Sequence, residues 1–142
     1  MTKNVRLVNA ATAPEYFAKM ASVLIVDDSP DVRHVVRRFL ERDAAFTVCG
    51  EAGNGPEAIK KAEALKPELV LLDLLMPEMN GIEAAAVLKR MLPKTQIAIF
   101  SNYTDDLDRR LASVVGIDGV IAKGSLTDMA TSLKALIARK AL

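Results

Sequence analysis

From Ser22 to the C-terminus, five short apolar or β-branched runs alternate with stretches whose apolar residues recur at helical spacing. The runs occupy residues 23–26, 46–49, 69–72, 96–100 and 119–122. Several are apolar throughout, as strands are when helices cover both faces of a sheet. The alternation predicts parallel βαβ units, hence an α/β domain. At 142 residues and 51% hydrophobic content the chain has material for one buried core, so a single domain over residues 22–142 is expected.

The intervening stretches carry helix signals. Ser29 is placed to cap a first helix with Pro30 at its first position, and Val32, Val35, Val36, Phe39 and Leu40 form its apolar stripe. A second helix is predicted over residues 56–65 and a third over 81–92, each stopped by a proline, Pro67 and Pro93. A shorter fourth covers about residues 105–115, ending at Gly116, and the last buries Met129, Leu133, Leu136 and Ile137. Residues 1–21 stand outside this rhythm as an N-terminal extension, with a β-like run at 5–8 and a helical turn at 14–20.

Lys+Arg 19 against Asp+Glu 18 leaves a formal net charge of +1, so no overall field points to nucleic acid or a membrane surface. Cys49 is the one cysteine, which excludes an internal disulfide framework and a thiolate metal cluster, and it reads as a small buried core residue. No run approaches the length of a membrane span and no secretory leader is visible, so a soluble cytoplasmic protein is expected.

In an open parallel sheet the working groups gather beyond the carboxyl ends of the strands. There the chain places Asp27 and Asp28 after the first run, Asp73 after the third, Ser101 after the fourth and Lys123 after the fifth. Each has an ordinary role in isolation: a helix start for Asp27 or Asp28, a turn for Asp73 or Ser101, a solvated charge for Lys123. Independent turn residues have no reason to converge, and together these groups make a site. Three carboxylates brought together repel unless a cation neutralises them, and an all-oxygen donor set favours Mg²⁺ or Mn²⁺, Mg²⁺ best where water completes the shell. An aspartate beside such an ion is a nucleophile for a phosphoryl donor, with Lys123 and the Ser101 hydroxyl to bind phosphoryl oxygens. His34 falls off the apolar stripe and reads as solvent-facing, and Arg33, Arg37, Arg38 and Arg42 read as a solvated face.

Val23-Leu-Ile-Val-Asp-Asp-Ser-Pro30, Leu71-Leu-Asp-Leu-Leu-Met-Pro-Glu-Met-Asn-Gly81 and Gly119-Val-Ile-Ala-Lys123 resemble the receiver domains of response regulators over about residues 22–140. Cys49-Gly-Glu-Ala-Gly-Asn-Gly55 looks most like receivers of the nitrate-response type, and Ser101-Asn-Tyr resembles their single-domain relatives. The resemblance implies a flavodoxin-like (βα)5 fold with a doubly wound parallel sheet of order 2-1-3-4-5. It implies Asp73 as phosphoacceptor, a sensor histidine kinase or histidine phosphotransfer protein as donor, and a downstream protein partner. It implies Mg²⁺ held by Asp28, Asp73 and the backbone carbonyl of Leu75, with Asp27 acting mostly through metal-bound water.

Many receivers carry Tyr or Phe three residues before the lysine as a rotamer switch, whereas this chain has Val120, so Ser101 and Lys123 are left to carry the signal. The chain ends at Leu142 just after the last helix, so a stand-alone receiver without direct nucleic-acid binding is expected, with self-association left open. The resemblance also sets Leu75 and Tyr103 beside the path of a hydrolytic water, where neither favours attack, so slow self-dephosphorylation is expected. Two rivals share the chemistry or the fold class. A haloacid-dehalogenase phosphatase needs a second acid two residues after its nucleophile, where Leu75 stands, and a flavin or nucleotide module needs a Gly- or hydroxyl-rich first loop, where this one is acidic.

Overall fold

The computed structural model describes residues 20–102 and 109–141. In chain order the elements are β1 (Ala21–Val26), α1 (Pro30–Glu41), β2 (Phe46–Ala52), α2 (Gly55–Leu65), β3 (Leu69–Leu72), α3 (Gly81–Met91), β4 (Gln96–Ser101), α4 (Arg109–Val115), β5 (Gly119–Ala122) and α5 (Leu126–Ala141). The strands form one parallel sheet of order β2-β1-β3-β4-β5, the arrangement expected from the resemblance. The residues assigned to the N-terminal extension as far as Lys19, and the start of the predicted fourth helix, lie outside the described residues. Among the described residues no helix is long and apolar enough to cross a membrane.

Side chains alternate across each strand, so the sheet builds two cores. On one face Val23, Ile25, Leu69, Leu71 and Phe100 pack beneath α1 and α5, meeting Val36, Leu40, Met129 and Leu133. On the other, Leu24, Val70, Leu72, Ile97 and Ile99 meet α2, α3 and α4 largely through alanines, among them Ala58, Ala62, Ala84 and Ala85. Residues 69–72 of β3, sandwiched between both, are at most 1% exposed.

The helix starts follow local chemistry. The Ser29 hydroxyl accepts from the Val32 N–H with Pro30 opening α1, the Asn54 side chain accepts from Glu57 N–H at α2, and Asn80 with Glu83 forms a reciprocal capping box at α3.

Three expectations change. Val35, assigned to the buried stripe of α1, is 51% exposed. It sits at the edge of that stripe, over a groove it lines with Leu126 at the start of α5. Strand β2 runs on to Ala52 through a bulge: Val23 pairs with Val48 but Leu24 pairs with Gly50, leaving Cys49 as the extra residue. Cys49 is therefore half-buried rather than fully buried. Its thiol donates to the Val23 carbonyl at 3.4 Å, and burial pushes its pKa up. Beyond the bulge the alternation is reset, so Ala52 joins the core under α2 while Glu51 turns toward α1.

Candidate functional site

The hydrogen-bonded ladders continue one residue past the strands and deliver the polar groups to a common rim. Asp27 N–H donates to the Ala52 carbonyl at 3.1 Å, Asp73 N–H to the Val26 carbonyl at 2.9 Å, and Lys123 N–H to the Ser101 carbonyl at 3.1 Å. Val26 is register partner of Leu72, so Asp27 and Asp73 emerge side by side. Asp28, one step farther out, is exposed. One carboxylate oxygen from each of Asp27, Asp28 and Asp73 lies within 4.8 Å of the others.

Lys123 reaches into this cluster from β5. Its ammonium donates to Asp27 Oδ2 at 2.7 Å, stands 3.3 Å from Asp73 Oδ1, and lies 5.6 Å from the centre of the Phe100 ring. The other Asp27 oxygen, Oδ1, accepts from Ser29 N–H at 2.9 Å. Ser101 is fully buried at the last position of β4, opposite Ala122.

Glycine is required where the loop after β3 folds back. A side chain at Gly81 would put a Cβ 2.4 Å from the Asp73 carbonyl oxygen, and Gly81 N–H donates to the Leu74 carbonyl at 2.8 Å. Glu78 takes a left-handed φ of 70° to close the turn. Leu75 rides on this loop, 52% exposed.

The charges do not balance. Burial pushes the Asp73 carboxyl above its ordinary range, and the negative charges of Asp27 and Asp28 push it further, against the pull of Lys123. Burial alone would lower Lys123, yet its hydrogen bond to Asp27 and the field of Asp73 leave its pKa raised and the ammonium charged. Among the described residues, three clustered carboxylates with one ammonium and no His or Cys in the group suit a hard divalent cation such as Mg²⁺.

Asp27, Asp28, Asp73, Ser101 and Lys123 thus lie at one rim, with Leu75 half exposed on the adjoining loop, while Tyr103 lies outside the described residues. His34 is exposed on α1 as expected. The arginines expected as a solvated face divide. Arg38 and Arg42 are exposed, but Arg33 and Arg37 turn inward onto Glu51, because the bulge in β2 presents that carboxylate to α1. Arg33 also donates to the Asp27 backbone carbonyl at 2.7 Å. Only Glu51, an acid in an otherwise apolar or small-residue strand end, hinted at this in the sequence.

The response regulator receiver domain model matches residues 23–134. Response regulator protein VraR of Staphylococcus aureus is 37% identical over 113 residues, 79% of this chain and 54% of VraR, so the chain spans about half the length of the curated relatives it matches. A two-component response regulator of the LuxR family from Aurantimonas sp. SI85-9A1 superposes with a TM-score of 0.79 at 29% identity, covering 84% of this chain and 86% of that one. The signal receiver domain of NarL from Mycobacterium tuberculosis superposes with a TM-score of 0.77 at 29% identity, covering 84% and 98%.

Proposed function

The chain belongs to the response-regulator receiver domain family, and from that premise we propose that Asp73 accepts a phosphoryl group from a phosphohistidine on a sensor histidine kinase or a histidine phosphotransfer protein. The observation that carries this reading is the meeting of Asp27, Asp28 and Asp73 with Lys123, whose ammonium pairs with an aspartate 96 positions away. Lys123 thereby sets a cation beside the proposed nucleophile, 3.3 Å from Asp73 Oδ1.

In the proposed step an Asp73 carboxylate oxygen attacks phosphorus, the P–N bond of the donor breaks, and its electron pair stays on the departing imidazole nitrogen. Mg²⁺ held by Asp27, Asp28, Asp73 and the Leu75 carbonyl would offset the negative charge of the carboxylates and the phosphoryl oxygens. Lys123 compensates charge from the β5 side, and the Ser101 hydroxyl donates to a phosphoryl oxygen. With Val120 in place of an aromatic, Ser101 and Lys123 carry the change to the surface of α4, β5 and α5, and the output is a contact with a downstream protein. The chain is a phosphoacceptor assisting its own modification rather than an enzyme acting on a separate substrate.

Incubation with acetyl phosphate and Mg²⁺ should add one phosphoryl group to the wild type and none to Asp73→Asn, read by intact mass. An unmodified wild type would reject the proposal. Leu75 offers no hydrogen bond to orient a water, so the phosphorylated state should be long-lived, and after removal of donor it should decay severalfold faster in Leu75→Asn. Equal decay would remove Leu75 from the hydrolytic path.

A further inference from the structure

We propose that Arg33 is a positioning residue for the acidic pocket: it fixes the peptide between Asp27 and Asp28, and Glu51 keeps its charge from collapsing onto the carboxylates. The inference rests on the receiver reading above and adds to it a pair of residues outside the acidic cluster.

The Asp27 carbonyl lies past the last residue of β1, where among the described residues no neighbouring strand supplies a donor to it. Arg33 does, from the second turn of α1, through Nη1 at 2.7 Å. Holding that carbonyl fixes the plane of the 27–28 peptide, and with it the position of the Asp28 Cα from which the exposed side chain departs. Asp27 itself is already pinned through its N–H, through Oδ1 to Ser29 and through Oδ2 to Lys123. Among the described residues Asp28 has no comparable constraint of its own, so the peptide plane is the handle on it.

A guanidinium that already reaches the Asp27 backbone carbonyl is attracted by the carboxylates of the pocket, and pairing with them would occupy the oxygens a metal needs. Glu51 prevents this. Its Oε1 accepts from Arg33 Nε at 3.1 Å, and its Oε2 accepts from Arg37 Nη1 at 2.7 Å. The Glu51 backbone carbonyl in turn accepts from Lys61 of α2. The Cys49 bulge sets this orientation, since an unbroken alternation would aim Glu51 at the opposite face of the sheet. The guanidinium is thus neutralised at Nε while Nη1 remains committed to a carbonyl, a division of labour that a single ammonium cannot reproduce.

The test is a Mg²⁺ titration of the full chain, followed by calorimetry and by the amide shifts of Asp27 and Asp28, with thermal melts alongside. Arg33→Gln should weaken Mg²⁺ binding about tenfold, at the low end for residues that orient metal ligands. Arg33→Lys keeps the charge and should restore the melting temperature without restoring Mg²⁺ affinity. Glu51→Gln should also weaken binding, and that loss should vanish in the Arg33→Gln background, because it acts through Arg33. Wild-type affinity in Arg33→Gln or rescue by Arg33→Lys overturns the inference, as does an undiminished Glu51→Gln effect in the double variant. If Arg33→Gln does not fold, Arg33→Lys and Glu51→Gln decide it alone. A wild type that takes up no Mg²⁺ instead defeats the receiver reading on which the inference stands.

Discussion

The two ends of the sheet each hold a lysine–aspartate pair, and they are built on opposite principles. At the amino ends of the strands Lys89 binds Asp118 Oδ2 at 3.1 Å and also donates to the Thr95 carbonyl at 2.8 Å, while the same Asp118 oxygen accepts from Ile97 N–H at 2.8 Å. Around it the Thr95 hydroxyl donates to the Pro67 carbonyl, the Gln96 amide to the Leu136 carbonyl and Arg139 to the Asp118 carbonyl. There the Asp118 carboxylate is matched by Lys89 and its backbone carbonyl by Arg139, and among the described residues the surrounding polar groups find partners, so this end closes the fold. At the carboxyl ends, among the described residues, one ammonium faces three carboxylates. That surplus of negative charge suits a place where a cation binds, as the proposed function requires. The lesson is that a balanced network marks structure and an unbalanced one marks function, although both use the same residue types.

Breaking the balanced end should have the largest effect on stability. Lys89→Met removes the partner of Asp118, at 27% side-chain exposure, and a donor to the Thr95 carbonyl. The loss should be about 2 kcal/mol, the usual cost of stranding partly buried polar groups. Thermal unfolding should then fall by roughly 6–8 °C for a domain of this size. Mg²⁺ affinity and acetyl-phosphate labelling of the folded fraction should not change, because the site lies at the other end of the strands. A variant that melts like wild type, or that loses Mg²⁺ binding while folded, would erase the distinction between the ends.

The functional end was the more legible of the two in the sequence. Each of its groups interrupts or follows an apolar run, so Asp27, Asp73, Ser101 and Lys123 stand out one by one, and the parallel topology brings them together. The caps at Ser29 and Pro30 were visible for the same reason, since they act on residues three or four positions away. What stayed hidden depends on phase or on distant partners. The bulge at Cys49 inserts no unusual residue, yet it reverses which face Glu51 occupies and so converts Arg33 and Arg37 from a solvated face into an ion-pair cluster. Val35 satisfies the helical period but sits where no neighbouring element covers it among the described residues, and periodicity cannot report the edge of a contact. The Lys89–Asp118 network joins residues 29 positions apart that look like ordinary surface charges.

The smaller effect on stability, and opposite in sign, belongs to the unbalanced end. Burial first, and then the charges of Asp27 and Asp28, hold the Asp73 carboxyl above its ordinary value of 3.8, despite Lys123. A group whose pKa is raised by folding favours the folded state when protonated. That contribution is fully present below the unfolded value and is lost as pH rises through the folded one. At neutral pH the ionised Asp73 is therefore a burden on the metal-free protein, and Asp73→Asn, which keeps the shape and discards the charge, should melt a few degrees higher than wild type in the presence of a chelator. The gap should open as pH rises through the folded pKa of Asp73 and close again below 3.8, where the wild type is itself neutral at this position. Saturating Mg²⁺ should narrow or reverse the gap at neutral pH, since a ligand that binds the folded wild type more tightly than the variant stabilises it by mass action. If Asp73→Asn melts below wild type at neutral pH without metal, Lys123 outweighs the repulsion, and the carboxyl end is a structural ion pair like Lys89–Asp118 rather than a site that stores unresolved charge.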